Sequence, residues 1–188
     1  MGHRICPWWL GYFLASPLRR LLQDPVAITK PYVREGMTVL EPGPGMGFFT
    51  LEMARQVGAS GRVVAVDVQP RMIAGLKRRL AKAGLLERTD ARVASSESMG
   101  LQDLSGKVDF VLAMAVVHEM PSSSRFFAEV AEAMKPGATL LLAEPSGHVN
   151  KAAFEAELQD AAAAGLEVTD RPAIARSQAA LLKKTGGD

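Results

Sequence analysis

Residues 40–50 read LEPGPGMGFFT. Glycine takes every second position, Gly43, Gly45 and Gly47, directly behind an acid, Glu41. The stretch follows MTVLE (37–41), an apolar run with strand character, and precedes 47–57, which reads as a helix. A backbone without side chains at a strand-to-helix junction permits dihedrals that other residues resist and lets a small anionic or zwitterionic ligand come close. The helix that follows would add free amides at its N-terminus.

Working outward, the same grammar repeats. GRVVAVD (61–67) is a second strand, and residues 70–83 form a helix with Met72, Ile73, Leu76 and Leu80 inward, ended by Gly84. A weaker strand lies near 90–94, and KVDFVLAMAVV (107–117) holds a fourth. A serine-capped helix spans 122–134 and is closed by KPG (135–137), before the fifth strand ATLLLAE (138–144). A helix at 151–164 ends on Gly165, and LEVTD (166–170) with a segment near 174–182 makes an antiparallel pair. Strands built as continuous apolar runs, alternating with helices, predict an α/β fold: a doubly wound, mostly parallel, Rossmann-like sheet with helices on both faces and an antiparallel C-terminal pair.

Length and charge narrow the classes. A chain of 188 residues predicts one main domain, 30–188, preceded by an aromatic helical segment, 1–29. Twenty-two basic against 20 acidic residues leave a net charge of +2, so no nucleic-acid partner is expected. Arg19, Arg20, Lys77, Arg78 and Arg79 read as solvated helix faces. The single cysteine, Cys6, cannot form an intrachain disulfide or a multi-cysteine zinc site, and it suits the cytoplasm. ICPWWLGYFLA (5–15) is shorter than the ~20 apolar residues that cross a bilayer, so no integral membrane segment is expected.

The glycine spacing separates two ligand classes. A dinucleotide loop of the form G-x-G-x-x-G counted from Gly43 would need glycine at 48, which is Phe48, and Pro44 removes an amide donor. Asp67 ends the second strand, where a carboxylate can accept both hydroxyls of a ribose. A ligand with a ribose and no pyrophosphate fits.

TVLEPGPGMGFFT, VVAVDVQPRMI, VDFVLAMAVVHEMP and FFAEVAEAMKPGATLLLAEP, in this order and spacing, resemble the class I S-adenosylmethionine-dependent methyltransferases over residues 30–185. The nearest likeness is to the small-molecule group that includes quinone-biosynthesis and arsenite-type enzymes. The resemblance implies S-adenosyl-L-methionine as cofactor. It places Glu41 near the methionine amino group and lets methionine and ribose pass Gly43, Gly45 and Gly47. Asp67 would take the ribose hydroxyls and Val68 the adenine. Ser96 or Glu97 in ASSES would replace the aspartate that many relatives set against the adenine amine, although Glu97 also reads as a solvated loop residue. Ala113 would offer a carbonyl to the ammonium.

Methyl transfer from a sulfonium is an in-line displacement, so the protein mainly aligns the reactants and excludes water. A base is needed only when the acceptor must lose a proton. The candidates are His118, Glu119 and His148, with Glu144 ending the fifth strand. His118 could instead only orient its loop, and His148 only anchor one. Trp8, Trp9, Tyr12 and Phe13 read as a lid over the acceptor, a helix packed on the sheet edge, or a homodimer contact. If the lid closes, His3 and Cys6 would meet His118 and His148. No resident metal is expected, and one cysteine disfavours arsenite as the acceptor. The expected function is methyl transfer to a small molecule. The alternative is a non-catalytic S-adenosylmethionine-binding module or assembly subunit.

Overall fold

The structure is a computed structural model that describes residues 23–95 and 97–186. The segment carrying His3, Cys6, Trp8, Trp9, Tyr12 and Phe13, and so the lid reading, lies outside the described residues, as does Ser96. The chain divides into two compact units, one reaching to Met99 and the other running from Gly100 onward.

The first unit opens with a short helix, α1 (Pro25–Thr29). Asp24 caps it through the Val26 amide, and proline in its first turn needs no amide partner. Strand β1 (Thr38–Pro42) pairs in parallel with β2 (Arg62–Asp67), Leu40 opposite Val64, and β2 pairs in parallel with β3 (Thr89–Val93). Every residue of β2 from Val63 to Asp67 is buried. Successive side chains point to opposite faces, so both faces of this strand are covered. Helix α2 (Thr50–Gln56) follows β1, and α3 (Pro70–Lys82) follows β2. The α3 stripe Met72, Ile73, Leu76 and Leu80 is buried as its spacing predicts, and Gly84 takes the left-handed φ of +67° that ends it. Helix α2 is shorter than expected. Residues 45–49 form a turn, and the helix begins only at Thr50.

The second unit holds β4 (Val108–Met114), α4 (Ser123–Ala133), β5 (Met134–Pro145), α5 (Lys151–Ala163), β6 (Leu166–Asp170) and β7 (Ser177–Lys184). The strand order within it is β4-β5-β7-β6. The β4–β5 pair is parallel, while β7 runs antiparallel to both β5 and β6. The antiparallel C-terminal pair is therefore as expected, with β7 inserted between β5 and β6.

One boundary differs from the sequence reading. Residues 135–137 do not close the helix but lie inside β5. Val108 pairs with Met134 and Phe110 with Thr139, so the extra residues bulge from the ladder. Gly137 at φ +77° permits the bulge, and Lys135 Nζ reaches across it to Asp109 Oδ1 at 2.5 Å.

Candidate functional site

In the first unit the three glycines all have left-handed backbones, with φ of +67° at Gly43, +54° at Gly45 and +83° at Gly47. Their surroundings then divide them. Gly43 is exposed, and its amide donates to the Val66 carbonyl at 2.9 Å, which ties the loop to β2. A Cβ on Gly45 would meet nothing within 4 Å, so that face of the loop is open. Gly47 is buried, and a Cβ there would fall 2.8 Å from Leu51 Cδ1. Gly75 on α3 is close but less crowded, with Met46 Cγ at 3.1 Å from its would-be Cβ, and Arg79 Nη1 donates to the Met46 carbonyl. Gly43 and Gly45 thus present backbone outward, while Gly47 is needed to seat the loop on α3.

Glu41 is 3% exposed and accepts a hydrogen bond from Thr50 Oγ1 at 2.5 Å. The acid ahead of the loop is held by the first residue of the helix after it. Asp67 is buried at the end of β2, where its Oδ1 accepts from the Gln69 amide at 2.8 Å. Beside it Val68 is 39% exposed, on a hollow of about 360 Å³ lined by Val68, Gln69, Pro70 and Arg71. An open glycine backbone, a carboxylate at the strand end and an apolar ledge next to it fit a ribonucleoside carrying a small charged tail. Glu97 is exposed in a turn organised by Ser95, whose Oγ accepts from the Glu97 amide at 3.2 Å and the Ser98 amide at 3.0 Å. The sequence reading passed over Ser95. Its position two and three residues before those amides is a hydroxyl-turn signal.

In the second unit Ala113 is fully buried in β4 and paired with Leu142. Two residues later Ala115 has φ +56°, a left-handed conformation rare for a residue with a Cβ, and its amide donates to Ala143 at 2.7 Å. That turn aims the next two amides at β5. Val116 and Val117 both donate to Glu144 Oε1, at 3.1 and 2.7 Å. Glu144 is wholly buried, and its Oε2 meets His118 Nδ1. Three donors satisfy this carboxylate, as burial of a charge demands. The bond to Glu144 raises the His118 pKa; burial opposes it, and the charges of Glu144, Glu119 and Glu157 assist. With Nδ1 on Glu144, the other ring nitrogen, Nε2, is left for chemistry. His148 is exposed, its ring centroid 5.7 Å from that of His118 at 61°. Glu119 sits in the short helical turn with His118.

Glu157 was missed by the sequence reading. It is 8% exposed on α5, and its Oε2 has no hydrogen-bond partner among the described residues. Burial, and then the Glu144 charge, push its pKa up to about 7, against the pull of His118. It shares an open cleft of about 280 Å³ with Val117, His118 and residues 120–123. A signal for it exists: Glu157 falls on the buried stripe Phe154, Leu158 and Ala161, where an acid breaks an otherwise apolar pattern. Among the described residues no group of three His, Cys, Asp or Glu side chains could hold a metal ion. Among them, too, no helix is long and apolar enough to cross a membrane.

These features can be set beside known proteins. The arsenite methyltransferase of Halobacterium salinarum is 30% identical over 109 residues, 58% of this chain and 27% of that protein. The ubiquinone/menaquinone biosynthesis C-methyltransferase UbiE of Hydrogenovibrio crunogenus is 27% identical over 118 residues, 63% of this chain and 46% of that one. The chain thus spans from about a quarter to about a half of the length of these curated relatives. A SAM-dependent methyltransferase from Aquifex aeolicus has the same fold, with a TM-score of 0.84 at 24% identity over 96% of this chain and 100% of that one. The family model described as a methyltransferase domain matches residues 33–181, most of the sequence, and the chain belongs to that family.

Proposed function

We propose that the chain is an S-adenosylmethionine-dependent methyltransferase acting on a small molecule. The observation that carries this reading is the pairing, within one unit, of an outward-facing glycine backbone at Gly43 and Gly45 with the buried Asp67 at the end of the next strand. When bound, the cofactor supplies an electrophilic methyl group on a sulfonium. Asp67 accepts the ribose hydroxyls, and Val68 packs on the base. Glu41, held by Thr50, keeps negative charge beneath the loop near the ammonium end of the ligand. Ala113, Ser96 and Glu97 complete the proposed contacts. His118 receives a proton from the acceptor through Nε2, with Glu144 fixing its ring. Glu119 and His148 stay candidates beside it. A near-neutral net charge of +2 supports a small-molecule acceptor over nucleic acid.

Calorimetric titration with S-adenosylmethionine and with NAD tests the cofactor. The first should bind and the second should not. Incubation with methyl-labelled cofactor and a metabolite extract, followed by mass spectrometry, tests the transfer. Absence of S-adenosylmethionine binding overturns the reading. Binding with no labelled product from any extract favours the non-catalytic module instead.

A further inference from the structure

The cleft of the second unit is lined by a carboxyl side chain that the methyl-transfer reading does not use. Glu157 Oε2 is buried and has no partner among the described residues, and the side chain lines the cleft with Val117, His118 and residues 120–123. A buried carboxyl oxygen without a donor is costly, and an apolar residue at this place on the α5 stripe would avoid that cost. Its neighbours are already engaged. Glu144 on β5 accepts two amides and His118, and Asp160, one turn along α5, accepts from Ser123 Oγ. Of Glu144, Asp160 and Glu157, it is Glu157 that is left to meet a ligand.

The charges around it select the ligand's sign. The charges of Glu144, Glu119 and Glu157 act on His118 and those of Glu144 and Asp160 act on Glu157, and among the described residues His118 is the one cation acting on Glu157. A phenolate, thiolate or carboxylate entering here would meet like charge, whereas a cation bearing N–H groups would answer both the field and the open oxygen. We propose that this cleft is an acceptor subsite for a protonated amine, whose ammonium donates to the Glu157 carboxylate. Calling the amine an acceptor rests on the methyl-transfer reading; the binding itself does not. For an amine acceptor this carboxylate, in place of His118, then takes the proton. The N–H bond breaks, the proton passes to the carboxylate, and the electron pair stays on nitrogen as the nucleophile. Burial makes Glu157 a stronger base than a solvated carboxylate, which suits it to this step.

The test uses the whole chain, isotopically labelled for NMR at pH 7.5, and three probes of one shape: benzylammonium, benzyl alcohol and benzoate. Benzylammonium should shift the amides of residues 117–120, 122 and 123 and those around Glu157 saturably, and bind about tenfold or more tighter than the other two. Glu157→Gln should reduce its affinity by about tenfold or more. In the unmodified protein, saturation with benzylammonium should lower the Glu157 carboxyl titration midpoint, a readout that needs no variant to fold. Shifts elsewhere, equal binding of benzyl alcohol, unchanged affinity in Glu157→Gln or an unmoved midpoint would each overturn the proposal. S-adenosylmethionine titrated into the same sample keeps the two readings apart. Its failure to bind sinks the methyl-transfer reading and leaves the amine result to stand or fall alone.

Discussion

Asp67 and Glu157 are both carboxylates withdrawn from water, and their surroundings set them different tasks. Asp67 accepts the Gln69 amide beside an apolar ledge, the setting for a ligand's hydroxyls. Asp67→Ala should weaken S-adenosylmethionine binding by about 1.5–3 kcal/mol, the scale of a charge-assisted hydrogen bond, as read by calorimetry. Unchanged affinity would remove the ribose assignment. Glu157 has a folded pKa of about 7 against an ordinary value of 4.5. Between those values the native state keeps a proton that the unfolded chain has lost, so this group's stabilisation is complete below the lower value and is lost as pH rises through the upper one. Glu157→Gln cannot ionise. Its melting temperature relative to the parent should therefore rise between pH 5 and pH 8; a constant difference would contradict the raised pKa. His118, also raised, loses its contribution in the same direction, and it is present in both proteins.

Among the elements, the loop between β1 and α2 shows how one motif serves two ends. Gly45 and Gly47 share a left-handed backbone, which costs an alanine about 1–2 kcal/mol. Only Gly47 also faces crowding, at Leu51. Gly47→Ala should therefore lose about 1–3 kcal/mol beyond the dihedral cost, measured by urea unfolding. Gly45→Ala should show the dihedral cost alone, with S-adenosylmethionine affinity as its larger loss. Equal unfolding penalties would refute the division of roles. The sequence shows where glycine is required but not which side of the loop requires it, because Leu51 and Leu76 reach Gly47 only once α2 and α3 are placed. The same limit explains the KPG segment. Proline and glycine mark a break in regular structure, and a strand bulge breaks it as well as a helix end does.

For the molecule as a whole, the strand and helix positions are legible because burial on both faces leaves unbroken apolar runs such as Val63–Val66 and Leu140–Ala143. The antiparallel character of the last pair is legible from its place after the final helix. The insertion of β7 between β5 and β6 is not, because periodicity records which face is buried and never which strand lies alongside. Of the candidate site, the glycines and Asp67 can be read from local spacing. The Glu144–His118 bond and the isolation of Glu157 depend on β4, β5 and α5 meeting in space. In hydrogen exchange, S-adenosylmethionine should slow the amides of Gly43, residues 45–47 and residues 67–69, and protection confined to the second unit would contradict that assignment. The placement of β7 also has a consequence in time. A ribosome makes β5 and β6 before the strand that lies between them. While the chain is being synthesised, the inner edge of each waits unpaired, with Leu140 and Leu142 on β5 among the residues that later face β7. The birth order of the strands leaves the nascent second unit with a gap in its middle rather than at its rim, and that gap is where a chaperone or a stray strand would find it.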